Sequence, residues 1–405
     1  MVAEALGAPL VVEDLVHLTG SAAETEAQVL ALCRKLLGPV SSVWAVPGIP
    51  DTDFEVKPIT GGITNVLFRV APRESVQTSP AAVLVRIFGV AGDAVCDRTK
   101  ENLIFRELSE AGFGPPLLGL FGNGRLEGWL SGRRPLEPLE MLCTSAPDAM
   151  GMTARRLAEM HLRIAPPAAM ASAEDVWEQL RAWARLAETV DFPEDTTKAA
   201  QLAELDLPTI VAELDFCEDL LPSTRNASGA LHLERCAEGS IELRARRLLY
   251  DQRFCHMDLL GGNIMYSESE GDVRFIDFEY ANVCNVGVDI ANHFNAVPES
   301  CLILEDRFDP ERYYPTPEQQ RYWLRAYLAA RGETFASKEE EEALLTALLR
   351  VLGEFALIAE LRWVIWGVVQ AGCSPVDFDY LGYVRMRFRD GYLRYKRWHE
   401  SGVRA

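Results

Sequence analysis

His256-Met257-Asp258-Leu259-Leu260-Gly261-Gly262-Asn263, followed by Val273-Arg274-Phe275-Ile276-Asp277-Phe278-Glu279, is the stretch on which the reading of this chain turns. It holds an Asp, an Asn five residues on, and a second Asp at the end of an alternating apolar run. Phosphoryl transfer from ATP needs such a set. One carboxylate accepts the proton of the attacking hydroxyl, while an amide oxygen and a second carboxylate hold Mg²⁺ over the phosphates.

The spacing is similar to the His-x-Asp-x4-Asn catalytic loop of the protein-kinase-like fold, with a metal-binding Asp further on. Met257 stands where protein kinases carry Arg, and Glu279 where they carry Gly. The interval from Asp277 to Asp289 is too short for an activation segment. These departures point to a small-molecule kinase with a fixed second carboxylate. On this reading Asp258 is the catalytic base and His256 an architectural residue of the catalytic loop. Asn263 and Asp277 are Mg²⁺ ligands, and Glu279 reaches a second Mg²⁺.

Other ordered segments carry a closer resemblance. They are Gly61-Gly62-Ile63-Thr64-Asn65, Val83 to Gly89, Gly124-Arg125-Leu126-Glu127, Asp289-Ile290-Ala291-Asn292-His293-Phe294, Trp363-Val364-Ile365-Trp366 and Phe378 to Tyr383. From about Gly61 to about Trp398 the chain resembles the choline/ethanolamine kinase family. The resemblance implies an α+β, two-lobed protein-kinase-like fold, with a small sheet-rich N-lobe and a larger, mainly helical C-lobe. It implies ATP and Mg²⁺, and ethanolamine as acceptor. The product is then phosphoethanolamine, the first step of phosphatidylethanolamine synthesis by the CDP-ethanolamine route. Choline, or both amines, is the neighbouring alternative, and a non-catalytic nucleotide-binding scaffold is the alternative from another class.

By the same resemblance, Arg86 occupies the strand position of a kinase's phosphate-binding Lys, where a planar guanidinium binds phosphate oxygens in a bidentate manner. Glu101 on the next helix is its expected partner. Gly61, Gly62, Thr64 and Asn65 form a turn whose amides face the phosphates, and Glu127-Gly128-Trp129 lines the adenine. Asp289 braces the catalytic loop. Asn292 and His293 are a packing pair at a helix N-terminus.

Trp363 and Trp366 lie on one helical face, with Phe378, Tyr380 and Tyr383 on the next segment. Aromatic faces attract a substrate cation by roughly 0.5–2 kcal/mol each. The same spacing also suits an aromatic core stripe. The family carries a Glu two residues after Asn-His-Phe, near the substrate nitrogen; here that residue is Ala296.

Composition bounds the rest. The 405 residues suffice for two lobes with real cores. A net charge of −20 disfavours nucleic acid and anionic membrane as partners. Nine scattered cysteines, with no Cys-x-x-Cys, suit reduced thiols in the cytoplasm. No signal peptide is expected, and the apolar stretch from Ala356 to Gly372 is broken by Glu360 and Arg362, so no transmembrane segment is expected either. A homodimer is left open.

Along the chain, residues 1–44 are expected as an N-terminal helical extension, with a helix from Ala22 to Leu37. Residues 45–131 form the ATP-binding N-lobe, and residues 132–405 the catalytic and amino-alcohol-binding C-lobe. Ala199 to Leu221 is expected as one long helix, Pro222 to Arg247 as an inserted flexible loop, and Pro317 to Trp398 as three helices.

Overall fold

Ser21 opens the first helix with a reciprocal cap. Its hydroxyl accepts from the Glu24 amide, and the Glu24 carboxylate accepts from the Ser21 amide at 2.8 Å. The helix that follows, α1 (Ala22–Leu37), lays Val29, Leu30, Cys33, Leu36 and Leu37 into the same core as the adjoining sheet. It is part of the sheet unit rather than an appendage to it.

The computed structural model describes residues 9–18, 21–45, 48–59, 65–73, 79–89, 98–165, 176–222, 236–305, 307–374 and 376–402. The chain divides into two compact units, Met1–Arg133 and Arg134–Ala405.

In the first unit six strands form one sheet: β1 (Leu10–Val11), β2 (Phe54–Ile59), β3 (Asn65–Pro72), β4 (Val83–Phe88), β5 (Leu117–Phe121) and β6 (Gly124–Gly128), in the order β1-β5-β6-β4-β3-β2. Only the β1–β5 pair is parallel. Alternation in β4 turns Val83, Val85 and Ile87 into the core, and Val70 and Leu126 join them from neighbouring strands. α2 (Arg98–Glu110) buries Ile104, Phe105 and Leu108. Gly112, at φ +72°, reverses the chain, so that the Phe113 amide donates to the Leu108 carbonyl at 2.9 Å.

The second unit is mainly helical. Its helices are α3 (Ala149–Arg163), α4 (Val176–Ala187), α5 (Thr196–Glu204), α6 (Leu207–Leu220), α7 (Ile241–Leu249), α8 (Val286–Ser300), α9 (Pro317–Ala330), α10 (Lys338–Cys373), α11 (Tyr380–Met386) and α12 (Leu393–Ser401), with single turns at Leu302–Glu305 and Pro310–Tyr313. A π-helical stretch, Arg387–Tyr392, joins α11 to α12. Short strands β7 (Arg134–Pro135), β9 (Ile264–Ser267) and β10 (Asp272–Phe275) pair in the order β10-β9-β7, and β8 (Gln252–Cys255) pairs with β11 (Asn282–Asn285).

Two expectations are corrected here. The single helix expected from Ala199 to Leu221 is two, because the chain turns at Asp206, whose φ is +51°. Pro208, in the first turn of α6, lacks an amide proton and disfavours helix in the residue before it. The loop expected from Pro222 to Arg247 ends in a core helix instead. Residues 223–235 lie outside the described residues, but the Ser240 hydroxyl caps α7, which buries Leu243, Ala245 and Leu249. Arg246 binds Glu354 through both terminal nitrogens, at 3.0 and 2.9 Å.

α8 and α10 form the centre of this unit. Gly287 lets them meet, since a Cβ there would lie 2.5 Å from Phe355 Cε2. Among the described residues no helix is long and apolar enough to cross a membrane.

Candidate active site

The loop from His256 to Asn263 is held by buried polar groups. Asp289, on α8, accepts from the His256 amide (2.9 Å), the Met257 amide (2.8 Å) and His161 Nε2 (3.0 Å). Burial would raise its carboxyl, but these donors outweigh burial and hold it below the usual range. Met257 sits at φ +66° and Asp277 at φ +63°, the left-handed region that side chains rarely adopt. These two of the three non-glycine outliers flank the same few side chains, the pattern expected where surrounding bonds over-determine a functional loop.

His256 is fully buried, and burial depresses its pKa, so the ring is neutral. Its Nε2 lies 2.9 Å from the Ile276 carbonyl, while Nδ1 accepts from the Asp258 amide at 3.3 Å. The bond to the carbonyl requires the proton on Nε2, and the ring therefore ties the catalytic loop to the strand end that carries Asp277. Asn263 fixes Asp258 from the other side: its amide nitrogen donates to the Asp258 carbonyl (2.8 Å) and to Asp258 Oδ2 (3.0 Å).

Asp258 is half-buried, and its carboxyl is raised well above the ordinary carboxylate value. Desolvation is the largest cause, followed by the charges of Glu299, Asp277 and Glu279; Arg362 acts in the opposite direction. Several carboxylates thus crowd one region with too little positive charge, which is the electrostatic condition for attracting cations.

The donor set suits Mg²⁺. With its nitrogen engaged on Asp258, the Asn263 amide presents Oδ1 away from that bond, and no donor among the described residues reaches this oxygen. Asp277 and Glu279 add carboxylates at the end of the strand run, so the available ligands are all oxygens, as a hard divalent cation prefers.

The five aromatic residues expected together are together, and Tyr280 completes the set. Tyr280, Trp363, Trp366, Phe378, Tyr380 and Tyr383 are linked by edge-on contacts with centroids 4.9–6.3 Å apart. The indoles are fixed through their N–H groups, Trp363 on Asn292 Oδ1 (2.7 Å) and Trp366 on the Tyr280 hydroxyl (3.0 Å). Gly367 lets α11 approach α10, since a Cβ there would lie 2.6 Å from Val384 Cγ2 and 3.3 Å from Tyr383 Cδ1. Behind the rings, the Tyr383 hydroxyl donates to Glu299 Oε1 and Arg387 Nη1 donates to Glu299 Oε2, each at 3.0 Å.

The residues assigned to the nucleotide occupy the first unit. Gly61, Gly62 and Thr64 lie outside the described residues; Asn65 begins β3, opposite Phe88. Arg86 is buried on β4, but its carboxylate partner is Glu127, from Nε at 2.8 Å, and not Glu101. Glu101 instead accepts from Arg125 and Arg98, each at 2.7 Å. Arg125, fully buried, also donates to Glu127 at 2.8 Å and bridges the two carboxylates. β4 and β6 are adjacent with Arg86 opposite Arg125, so Glu127 on β6 reaches Arg86 more directly than the helical Glu101 does. The Glu127 side chain therefore points into the interior of the unit. Trp129 remains half-buried, with the Arg69 guanidinium 5.4 Å from its ring centroid.

Asn292 and His293 are corrected as well. They lie in the middle of α8, not at its N-terminus. Asn292 bridges the Met257 carbonyl (3.2 Å) to Trp363, and His293 Nδ1 lies 2.8 Å from the Leu259 carbonyl. Sequence reasoning also passed over Tyr280, Arg362, Glu360 and Arg387. Arg362 donates to the Met257 carbonyl at 3.2 Å and stacks near Trp183, Tyr280 and Trp363. The one available signal was a buried-type charge, Glu360 with Arg362, inside the most apolar stretch of the chain.

Comparison with known proteins gives a consistent relationship. The family model described as choline/ethanolamine kinase matches residues 56–391. "Probable ethanolamine kinase A" of Dictyostelium discoideum is 30% identical over 342 residues, 84% of each chain. The choline/ethanolamine kinase of Homo sapiens is 29% identical over 376 residues, 90% of this chain and 85% of that protein. Among solved structures, the choline kinase of Cryptosporidium parvum aligns with a TM-score of 0.70 at 23% identity, covering 93% of this chain and 96% of that one. The fold is thus protein-kinase-like, with a sheet-rich N-terminal unit and a helical C-terminal unit.

Proposed function

The chain belongs to the choline/ethanolamine kinase family, and from that premise we propose that it transfers the γ-phosphoryl group of ATP to the hydroxyl of ethanolamine, giving ADP and phosphoethanolamine. The observation that carries this reading is the placement, within one unit, of a carboxylate pinned by Asn263 and a box of six rings whose polar end is Glu299. Asp258 accepts the hydroxyl proton as the oxygen attacks phosphorus. Asn263 keeps Asp258 Oδ2 oriented, and Asp289 keeps the loop in place. Asn263 and Asp277, with Glu279, would hold Mg²⁺, whose chemistry is to neutralise and orient the phosphates. Arg86, Asn65 and the turn containing Gly61, Gly62 and Thr64 serve the phosphates, and Trp129 the base.

Ethanolamine is favoured over choline because the rings are closed on one another and all but Phe378 are buried, which suits a small ammonium better than a trimethylated one. Aromatic faces alone would suit choline equally, and dual use of both amines is the second reading. A non-catalytic nucleotide-binding scaffold would have no need of Asp258, Asn263 and Asp277 together. Eight described cysteines are unpaired thiols, which supports a reducing compartment, the cytoplasm. The product would enter the CDP-ethanolamine route to phosphatidylethanolamine.

The test is ADP release with Mg-ATP, comparing ethanolamine, its mono- and dimethyl derivatives and choline, for the wild type and Asp258→Asn. Ethanolamine should show the highest kcat/KM, and Asp258→Asn should lose at least ~10²-fold in kcat. Near-normal turnover in the variant would remove Asp258 from the mechanism, and a preference for choline would reverse the acceptor.

A further inference from the structure

Ala296 and Glu299 lie three residues apart on α8, so they share a helical face. Ala296 is buried and offers no acceptor. Glu299 carries the carboxylate nearest the ring box in hydrogen-bond terms, one bond from the Tyr383 hydroxyl. The Tyr383 ring in turn contacts Trp366 and Phe378, at 6.1 and 5.9 Å between centroids.

Behind the box one guanidinium meets two carboxyl groups. Arg387 is fully buried and reaches two carboxylates, Glu299 Oε2 from Nη1 at 3.0 Å and Glu360 Oε1 from Nε at 2.8 Å. The Glu360 side chain is fully buried too, whereas that of Glu299 keeps 23% of its surface exposed. Burial raises the Glu360 carboxyl to about 8, so at neutral pH the charged carboxylate of the pair, and the accessible one, is Glu299. Each carboxylate oxygen accepts about two hydrogen bonds, and each oxygen of Glu299 has one donor among the described residues. Room for further donors remains on a carboxylate already oriented by two others.

We propose that Glu299 recognises the substrate's ammonium group, standing one helical turn beyond the alanine at position 296, and that its open acceptor positions make the site selective for a primary amine. The inference rests on the amino-alcohol reading above. A primary ammonium brings three N–H donors, while a trimethylammonium brings none and keeps only its charge and its ring contacts.

The experiment compares the wild type, Glu299→Gln, Glu299→Asp and the double variant Ala296→Glu/Glu299→Gln, with saturating Mg-ATP and either ethanolamine or choline. A hydrogen bond to a charged group is worth about 1.5–3 kcal/mol, roughly a 10- to 150-fold effect. Glu299→Gln should raise the KM for ethanolamine by about that factor, with a smaller rise for choline, so that the ratio of the two kcat/KM values falls by about tenfold or more. Glu299→Asp, which keeps the charge on a shorter arm, should fall between, and the double variant should recover part of the ratio. A purely structural Glu299 would lower thermal stability and kcat for both amines while leaving the ratio unchanged, and that result would overturn the inference. Should Glu299→Gln fail to fold, Glu299→Asp reads the same ratio, and an unchanged ratio there overturns it equally. A wild type that phosphorylates neither amine would instead strike the amino-alcohol reading itself, and this appears in the wild-type arm before any variant is compared.

Discussion

Asp289→Asn removes one charge and changes almost no volume, so its effect isolates the bonds that hold the catalytic loop. Asp289 accepts three donors, two of them consecutive backbone amides, with Oδ1 taking Met257 and Oδ2 taking His256 and His161. An amide can keep only one of these faces. If its oxygen retains the His256 and His161 bonds, its NH₂ confronts the Met257 amide, donor against donor, beside a side chain that is 2% exposed. An orphaned buried amide costs about 1–3 kcal/mol, and exchanging a charged for a neutral acceptor weakens each remaining bond by about 1 kcal/mol. The sum is about 3–5 kcal/mol, set against a conformation at Met257, φ +66°, that already opposes the fold. Hydrogen exchange at the Met257 amide should report an opening free energy lower by that amount. Turnover should fall by about 10²-fold, as a displacement near 1 Å at a reacting group does. Protection within about 0.5 kcal/mol of wild type, the scatter of an ordinary surface substitution, would refute the claim that Asp289 holds the loop.

Two further outcomes follow from buried groups. Burial depresses His293 from 6.5 to about 4. Between these values the unfolded chain binds the proton and the folded chain does not, so this residue costs stability as pH falls from 6.5 toward 4 and contributes nothing to pH dependence above that window. Denaturant unfolding of His293→Asn should show a flatter acid limb than wild type, and parallel curves would contradict the assignment. Arg125→Lys replaces a fork that spans Glu101 and Glu127 with a single point charge. One buried carboxylate then loses its partner, a loss of about 3–5 kcal/mol, visible as faster amide exchange along β6; unchanged protection there would show that the bridge is dispensable.

Local patterns were legible where the chain advertises them at short range. The helical spacing of Val29, Cys33 and Leu36 gives α1 its full extent, and the Asp258–Asn263 interval marks one short loop, in which the two side chains meet at 3.0 Å. The aromatic residues at 363, 366, 378, 380 and 383 are legible together because they lie within one helix, the short connection after it and the start of the next. The ion network behind them is not. Glu299, Glu360 and Arg387 come from three separate segments, and Arg387 reaches both carboxylates from a π-helical stretch that composition does not mark. In the first unit, place in the chain implies one role each for Glu101 and Glu127. Which arginine each meets depends on strand register, and register emerges only once β4 and β6 lie side by side. α7 was misread because its arginines resemble a solvated loop, while Arg246 turns inward to Glu354.

Residues 360 to 367 of α10 present a guanidinium toward Met257, two indoles toward the box and a glycine toward Tyr383 from two turns of one continuous helix. Inserting or deleting a single residue upstream in that helix would rotate everything after it by about 100° and send all four in new directions at once. The amine half of the site is therefore a device of fixed length. Its chemistry is open to change by substitution, residue for residue, but closed to change by insertion or deletion. Variation in chain length must be absorbed outside α10 and outside the run from Phe378 to Tyr383 that completes the box.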